Sequence, residues 1–163
     1  MLYWSLKQLR QYFLANCNWL KGNIFIGEPA GGLIAESNMP AVIIEPERTR
    51  HETNDNQREM IYYDIIVWLV VNEKSLRGEK YTENKAVTEI TELMEGASKS
   101  TTTFRNDTIV AQLLNAKQDG IGENWWVWEV GDVDYGLNTR GKIHTREAQV
   151  KVTITQLKTR DIT

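Results

Sequence analysis

The chain has one cysteine, Cys17, and two histidines, His51 and His144, among 163 residues. A lone cysteine excludes an internal disulfide and fits a reducing compartment. Neither sign of charge dominates, since 19 Lys and Arg stand against 22 Asp and Glu for a formal net charge of -3. A general nucleic-acid binder needs a basic excess to neutralise phosphates, so that class is set aside. Long apolar runs are lacking. The amino-terminal MLYWSLKQLRQYFL is interrupted by Lys7 and Arg10 and carries no small-residue cleavage site. It reads as neither a signal peptide nor a membrane span, and a soluble chain made in a cytoplasm is expected. Internal repeats, low-complexity tracts and dividing linkers are also missing. One domain over residues 1–163 is therefore expected, long enough to bury about 70% of the surface its unfolded chain exposes.

What is present is an ordinary globular composition, 41% hydrophobic and 25% charged. Leu2, Leu6, Leu9, Phe13 and Cys17 recur at spacings of three and four, one face of a helix running to about Leu20 and stopped at Lys21-Gly22. Gly27 to Pro40, rich in glycine and proline, reads as an irregular loop. Ala41 to Glu45 reads as a short strand stopped by Pro46. Glu47 to Met60 is charged and polar and reads as a protruding hairpin loop. From Ile61 the chain alternates: Ile61, Tyr63, Ile65, Val67, Leu69 and Val71 form one apolar face. The other face, with Tyr62, Asp64, Ile66, Trp68 and Val70, is mixed, so something is expected to cover both sides.

Residues 81–95 read as a second helix, with Thr82 as N-cap, Glu83 in the first turn, a buried stripe of Val87, Ile90, Leu93 and Met94, and Gly96 as the stop. Residues 108–116 fit either a short helix or a strand. Trp125 to Tyr135 and Thr145 to Leu157 read as strands, the second with Ala148, Val150, Val152 and Ile154 on one face. Gly136 to Ile143 reads as a long polar hairpin between them. The expected fold class is α+β: a mostly antiparallel four-stranded sheet with two helices packed on one face and two long hairpin loops.

Catalytic material is sparse. Both histidines fall in expected polar hairpins, where little packing holds a base in place. His51, Glu52 and Asp55 offer nitrogen and carboxylate ligands, but no rigid element supplies the rest of a metal site. Cys17 lies on an apolar helix stripe and reads as a core residue. The GEPAGG run, Gly27 to Gly32, lacks the lysine and glycine spacing of a phosphate loop and reads as a turn. No catalytic residue, cofactor or metal is expected.

Aromatic residues are distributed unevenly. Trp125, Trp126 and Trp128 crowd one expected strand, and Trp68 and Tyr62 share the mixed face of another. These five are expected to form a subunit interface, since tryptophan and tyrosine are enriched in binding hot spots; filling a large core is the alternative. The two polar hairpins, carrying Arg48, Arg50, His51 and Arg58 in one and Arg140 and Lys142 in the other, are either partner-contact surfaces or solvated loops.

The order of elements resembles the tail terminator, or tail completion, proteins of long-tailed bacteriophages. The likeness lies in the leading helix Leu2 to Leu20, in the pair PAVIIEPE (Pro40 to Glu47) and REMIYYDIIVWLVVNE (Arg58 to Glu73) followed by the helix from Tyr81, and in the closing strand REAQVKVTITQ (Arg146 to Gln156). It covers most of the chain as a pattern of elements, without a signature motif. The resemblance implies a homo-oligomeric ring, usually of six subunits, that caps the tail tube and meets the head-side connector protein. It also implies a virion location at the head–tail junction, no catalytic residues, and DNA passing through the lumen without specific binding. The hairpin 47–59 is the first candidate to line that lumen. A head–tail connector or stopper protein, and a small-ligand module walled by the tryptophan strand, are the alternatives.

Overall fold

Apolar side chains on both sides of one long strand set the plan of the molecule. In the computed structural model, which describes residues 2–53, 58–73, 84–97, 103–122 and 125–159, that strand is β3 (Arg58–Asn72). It pairs antiparallel with β2 (Ala41–Thr53) on one side and with β5 (Ile143–Thr159) on the other. A short strand, β1 (Ile24–Ile26), adds parallel to β2, and β4 (Trp125–Arg140) adds antiparallel to β5. The order is β1-β2-β3-β5-β4. The class is α+β as expected, but the sheet is mixed and five-stranded rather than four-stranded. Three helices, not two, accompany it among the described residues.

All three helices face the same side. α1 (Leu2–Asn16) buries Leu6, Leu9 and Phe13. It ends earlier than expected, at Asn16, and a separate 3-10 turn, Asn18–Leu20, follows. Lys21 and Gly22 then turn the chain through left-handed conformations at φ 48 and 84. α2 (Lys85–Glu95) is capped by Asn84, whose side chain accepts from the amides of Ala86 and Val87. Thr82 and Glu83, expected to start this helix, lie outside the described residues. Its buried stripe is Ala86, Ile90 and Met94, whereas Val87 points to solvent. α3 (Ile109–Asp119) resolves the ambiguous segment as helix, with Thr108 capping the amide of Ala111 and Gly120 ending it.

Beneath these helices lies one large apolar cluster. The whole alternating set from Ile61 to Val71 belongs to it, as do Ala148, Val150, Val152 and Ile154 from β5 and Val42 and Ile44 from β2. Trp125 is 1% exposed within it, donates its indole N–H to Ser5 Oγ at 3.0 Å, and meets Trp4 edge-on. Its assignment to a subunit interface is therefore corrected: it is core. A tryptophan needs a partner for its N–H when buried, and Ser5, itself fully buried, provides one.

Both expected hairpin loops are mostly strand. Pro46 does not stop β2; it stays in register opposite Ile65, Glu47 is the extra residue of a bulge, and pairing resumes at Arg48↔Asp64. β4 likewise runs on through Gly136 to Arg140, and only Gly141 and Lys142 turn the chain into β5, Gly141 at φ 65. These segments are exposed over Glu47–Thr53 and Asp134–Thr139, while Arg140 at the end of β4 is buried.

Truncating the two neighbouring tryptophans separates core from surface. Trp125→Ala is expected to cost about 3–5 kcal/mol, the usual loss for a buried aromatic. Trp128→Ala, at a side chain 50% exposed, is expected to cost less than about 1 kcal/mol. Urea denaturation of both variants checks the order.

Candidate functional site

Among the described residues, the face of the sheet turned away from the helices has no comparable covering layer. At one end the segment from Gly27 to Pro40 crosses it as a strap. Ile34 of the strap packs with Ala41, Ile43 and Val70, and Phe25, Met39 and Trp68 border this small cluster. The strap is fastened by an ion network at the far edge. Arg140 grips Glu147 with two parallel bonds, Nε to Oε2 at 2.9 Å and Nη2 to Oε1 at 2.7 Å. Its Nη1 donates to Glu28 Oε1 and to the Gly32 carbonyl, both at 2.8 Å. Thr145 and Asn138 also donate to Glu147. Burial alone would raise the Glu147 pKa, but the Arg140 and Thr145 hydrogen bonds outweigh it and hold the carboxyl below its ordinary value.

This arrangement moves Arg140 out of the class of exposed loop residues. It is 5% exposed and ends a strand, so it is not available to a lumen or partner, whereas Lys142, in the two-residue turn, is exposed. The GEPAGG run also acquires a use: its backbone is the surface that Arg140 holds down.

A second network sits mid-face. Asp64, 7% exposed, accepts from Arg48 Nε at 2.6 Å, from Arg50 Nη2 at 3.1 Å and from Thr153 Oγ1 at 2.8 Å. Burial pushes its pKa up, yet the bonds from Arg50, Arg48 and Thr153 prevail and hold it at about 2. An anion held this firmly serves as a structural anchor for the two arginines, not as a proton acceptor near neutral pH. Arg50 also lies over the Tyr62 ring at 5.2 Å, and Tyr62 meets Trp128 edge-on at 5.9 Å.

Between these features the face is hollowed into a trough. A groove of about 870 Å³ runs past Arg48, Arg50 and Asp64, bounded by Lys151 and by Glu129, Asp132 and Asp134 of β4. A smaller recess of about 330 Å³ lies beside Ile66 and Trp68, under Glu28, Glu45 and Glu47. Tyr62, Trp68 and Trp126 are half-buried and Trp128 is exposed, so four of the five expected interface aromatics share this face. Of the basic residues expected at contact surfaces, Arg48 and Arg50 border the trough. His51 instead pairs across the hairpin with Glu59 at 2.9 Å, and Arg58 is exposed as the first residue of β3, toward the same end of the hairpin.

Sequence reasoning missed Asp64, Thr153, Glu147 and Glu28 as partners, and Glu129, Asp132 and Asp134 as a group. An acidic residue at a half-apolar strand position, as Asp64 is, was the one available signal. Asp55 of the considered metal trio lies outside the described residues, and among those described no three His, Cys, Asp or Glu side chains could hold a metal ion. Burial pushes the Cys17 thiol up to about 12, aided by Asp107, which keeps it protonated as the core reading requires. Among the described residues no helix is long and apolar enough to cross a membrane. No protein-family model matches the chain, and no curated protein matches it.

Asp64 gives a pH-dependent prediction. Its folded-state pKa lies below the ordinary 3.8, so the stability it contributes is present above about pH 4 and lost as pH falls through about 2. Asp64→Asn is expected to lower stability at neutral pH by about 2 kcal/mol, with the gap from the parent closing at the acid end. Urea midpoints measured across that range check both the size and the convergence.

Proposed function

We propose that the chain is a structural subunit of the tail-terminator type, which assembles into a ring, caps a phage tail tube and meets the head-side connector. The observation that carries this reading is the open sheet face, with Trp128 half exposed against Tyr62 and with Trp126 in register with Tyr62 across β5. Aromatic anchors of this kind dominate binding energy where subunits meet. Further support comes from the layering. With helices on one side and a trough on the other, identical copies have two unlike surfaces to offer each other, which is the requirement for a ring built by repeated head-to-tail contact.

The smaller recess beside Trp68 is edged by Glu28, Glu45, Glu47 and Glu147. Four carboxylates make it a poor pocket for an apolar small ligand, so the ligand-module reading is the weaker one. The near-neutral net charge of -3 suits a channel through which DNA slides without being held. In this reading the far end of the β2–β3 hairpin, with His51 and Arg58, faces the lumen or the next ring. The subunit is made in the host cytoplasm and ends at the head–tail junction of the virion.

Electron microscopy of the purified chain, alone and mixed with tail tubes, tests the proposal. Rings with six-fold symmetry seated on the head-proximal tube end are expected. Rings that bind only connector complexes would move the chain to the stopper class, and a chain that forms no ring in either mixture would end the reading.

A further inference from the structure

The open trough and the first helix carry opposite charge. Glu129, Asp132 and Asp134 of β4 are exposed along one wall of the groove and make no ion pair among the described residues. The cations facing them are already engaged: Arg48 and Arg50 with Asp64, and Lys151 with Glu47 at 3.2 Å. Arg50 also attracts Glu129. The lining still sets the carboxylates of Glu47, Asp64, Glu129, Asp132 and Asp134 against only Arg48, Arg50 and Lys151, so the trough keeps an excess of negative charge beside the Tyr62–Trp128 pair.

α1 is the complement. Its 15 residues, LYWSLKQLRQYFLAN, include Lys7 and Arg10 and no acidic side chain. Tyr3, Lys7, Arg10 and Leu14, spaced four, three and four, form one flank of the helix. Tyr3 is 60% exposed and Leu14 38%, Lys7 lies over the Tyr3 ring at 4.7 Å, and Arg10 has no carboxylate partner among the described residues. Trp4, beside this flank, is 44% exposed. Apolar anchors interleaved with cations are what an acidic trough with an aromatic rim would select.

We propose that α1 of one copy docks into the sheet-face trough of the next, its Lys7 and Arg10 pairing with Glu129, Asp132 and Asp134. The helix layer and the trough lie on opposite faces of the sheet, so one chain cannot satisfy both halves of the contact itself. Each docking leaves a free trough at one end and a free helix at the other. Such a heterologous contact propagates until rotation closes it into a ring. The inference rests on the ring reading above and specifies the interface by which the ring is made.

Charge exchange tests it on the full chain by sedimentation velocity across a concentration series. Lys7→Glu/Arg10→Glu and, separately, Asp132→Lys/Asp134→Lys are expected to weaken self-association about tenfold or more each, with circular dichroism unchanged. Mixing the two variants is expected to restore assembly, because alternating copies then place unlike charges at every contact. If a double variant fails to fold, Arg10→Glu and Asp132→Lys are mixed in the same way. Variants that associate like the parent, or that mixing does not rescue, would show the contact to lie elsewhere while leaving the ring reading intact. A parent chain that is monomeric at every concentration and forms no ring on tail tubes would overturn both.

Discussion

Burial of one face of β3 and β5 under three helices is the constraint from which the other features follow. Ile61 to Val71 and Ala148 to Ile154 give the sheet an apolar side that must be covered, and α1, α2 and α3 cover it. With stability drawn from that side, the opposite face is free to carry charge and aromatic rings that a self-sufficient monomer has little reason to display. The strands also run on past the core, so that Glu47 to Thr53 of β2 and Asp134 to Thr139 of β4 are exposed.

The open face is organised by two buried anions, Asp64 and Glu147, and each is fully partnered. A buried carboxylate without cations would cost far more than these pairs contribute, so the networks are better understood as devices of position than of stability. The Arg140–Glu147 fork fastens the strap from Gly27 to Pro40 across strands that its own sequence does not otherwise reach. Asp64 pins Arg48 and Arg50 where they border the trough and engages their charge. Together they leave the carboxylates of β4 in excess along the trough, with the Tyr62–Trp128 pair beside them.

Much of this was legible in the residues. The alternation of Ile61 to Val71 and of Ala148 to Ile154 identified two strands and the face each buries, because one side of each strand meets a core. Where no core was present the signal vanished. Thr49 to Thr53 and Gly136 to Thr139 are strand but exposed to water, so they carry no period and read as loops. β1, three residues long, was too short for any pattern, and Pro46 looked like a stop because a bulge that accommodates it has no sequence mark. Residues 108–116 needed the cap at Thr108 and the glycine at position 120 to be weighed with the apolar spacing of Ile109, Leu113 and Ala116. The tryptophan alternation was visible, but which side was core was not. That depended on Ser5, 120 residues away, reaching the Trp125 indole. The ion networks were invisible for the same reason: Arg48, Asp64 and Thr153 meet only once the strand register is known.

The central claim is that the open sheet face is covered when copies assemble. Oxidative footprinting of Trp128 and Tyr62, comparing dispersed chain with assembled particles, addresses it most directly. Strong labelling of both side chains in the dispersed chain and marked protection on assembly is the expected result. Equal labelling in the two states would contradict the account.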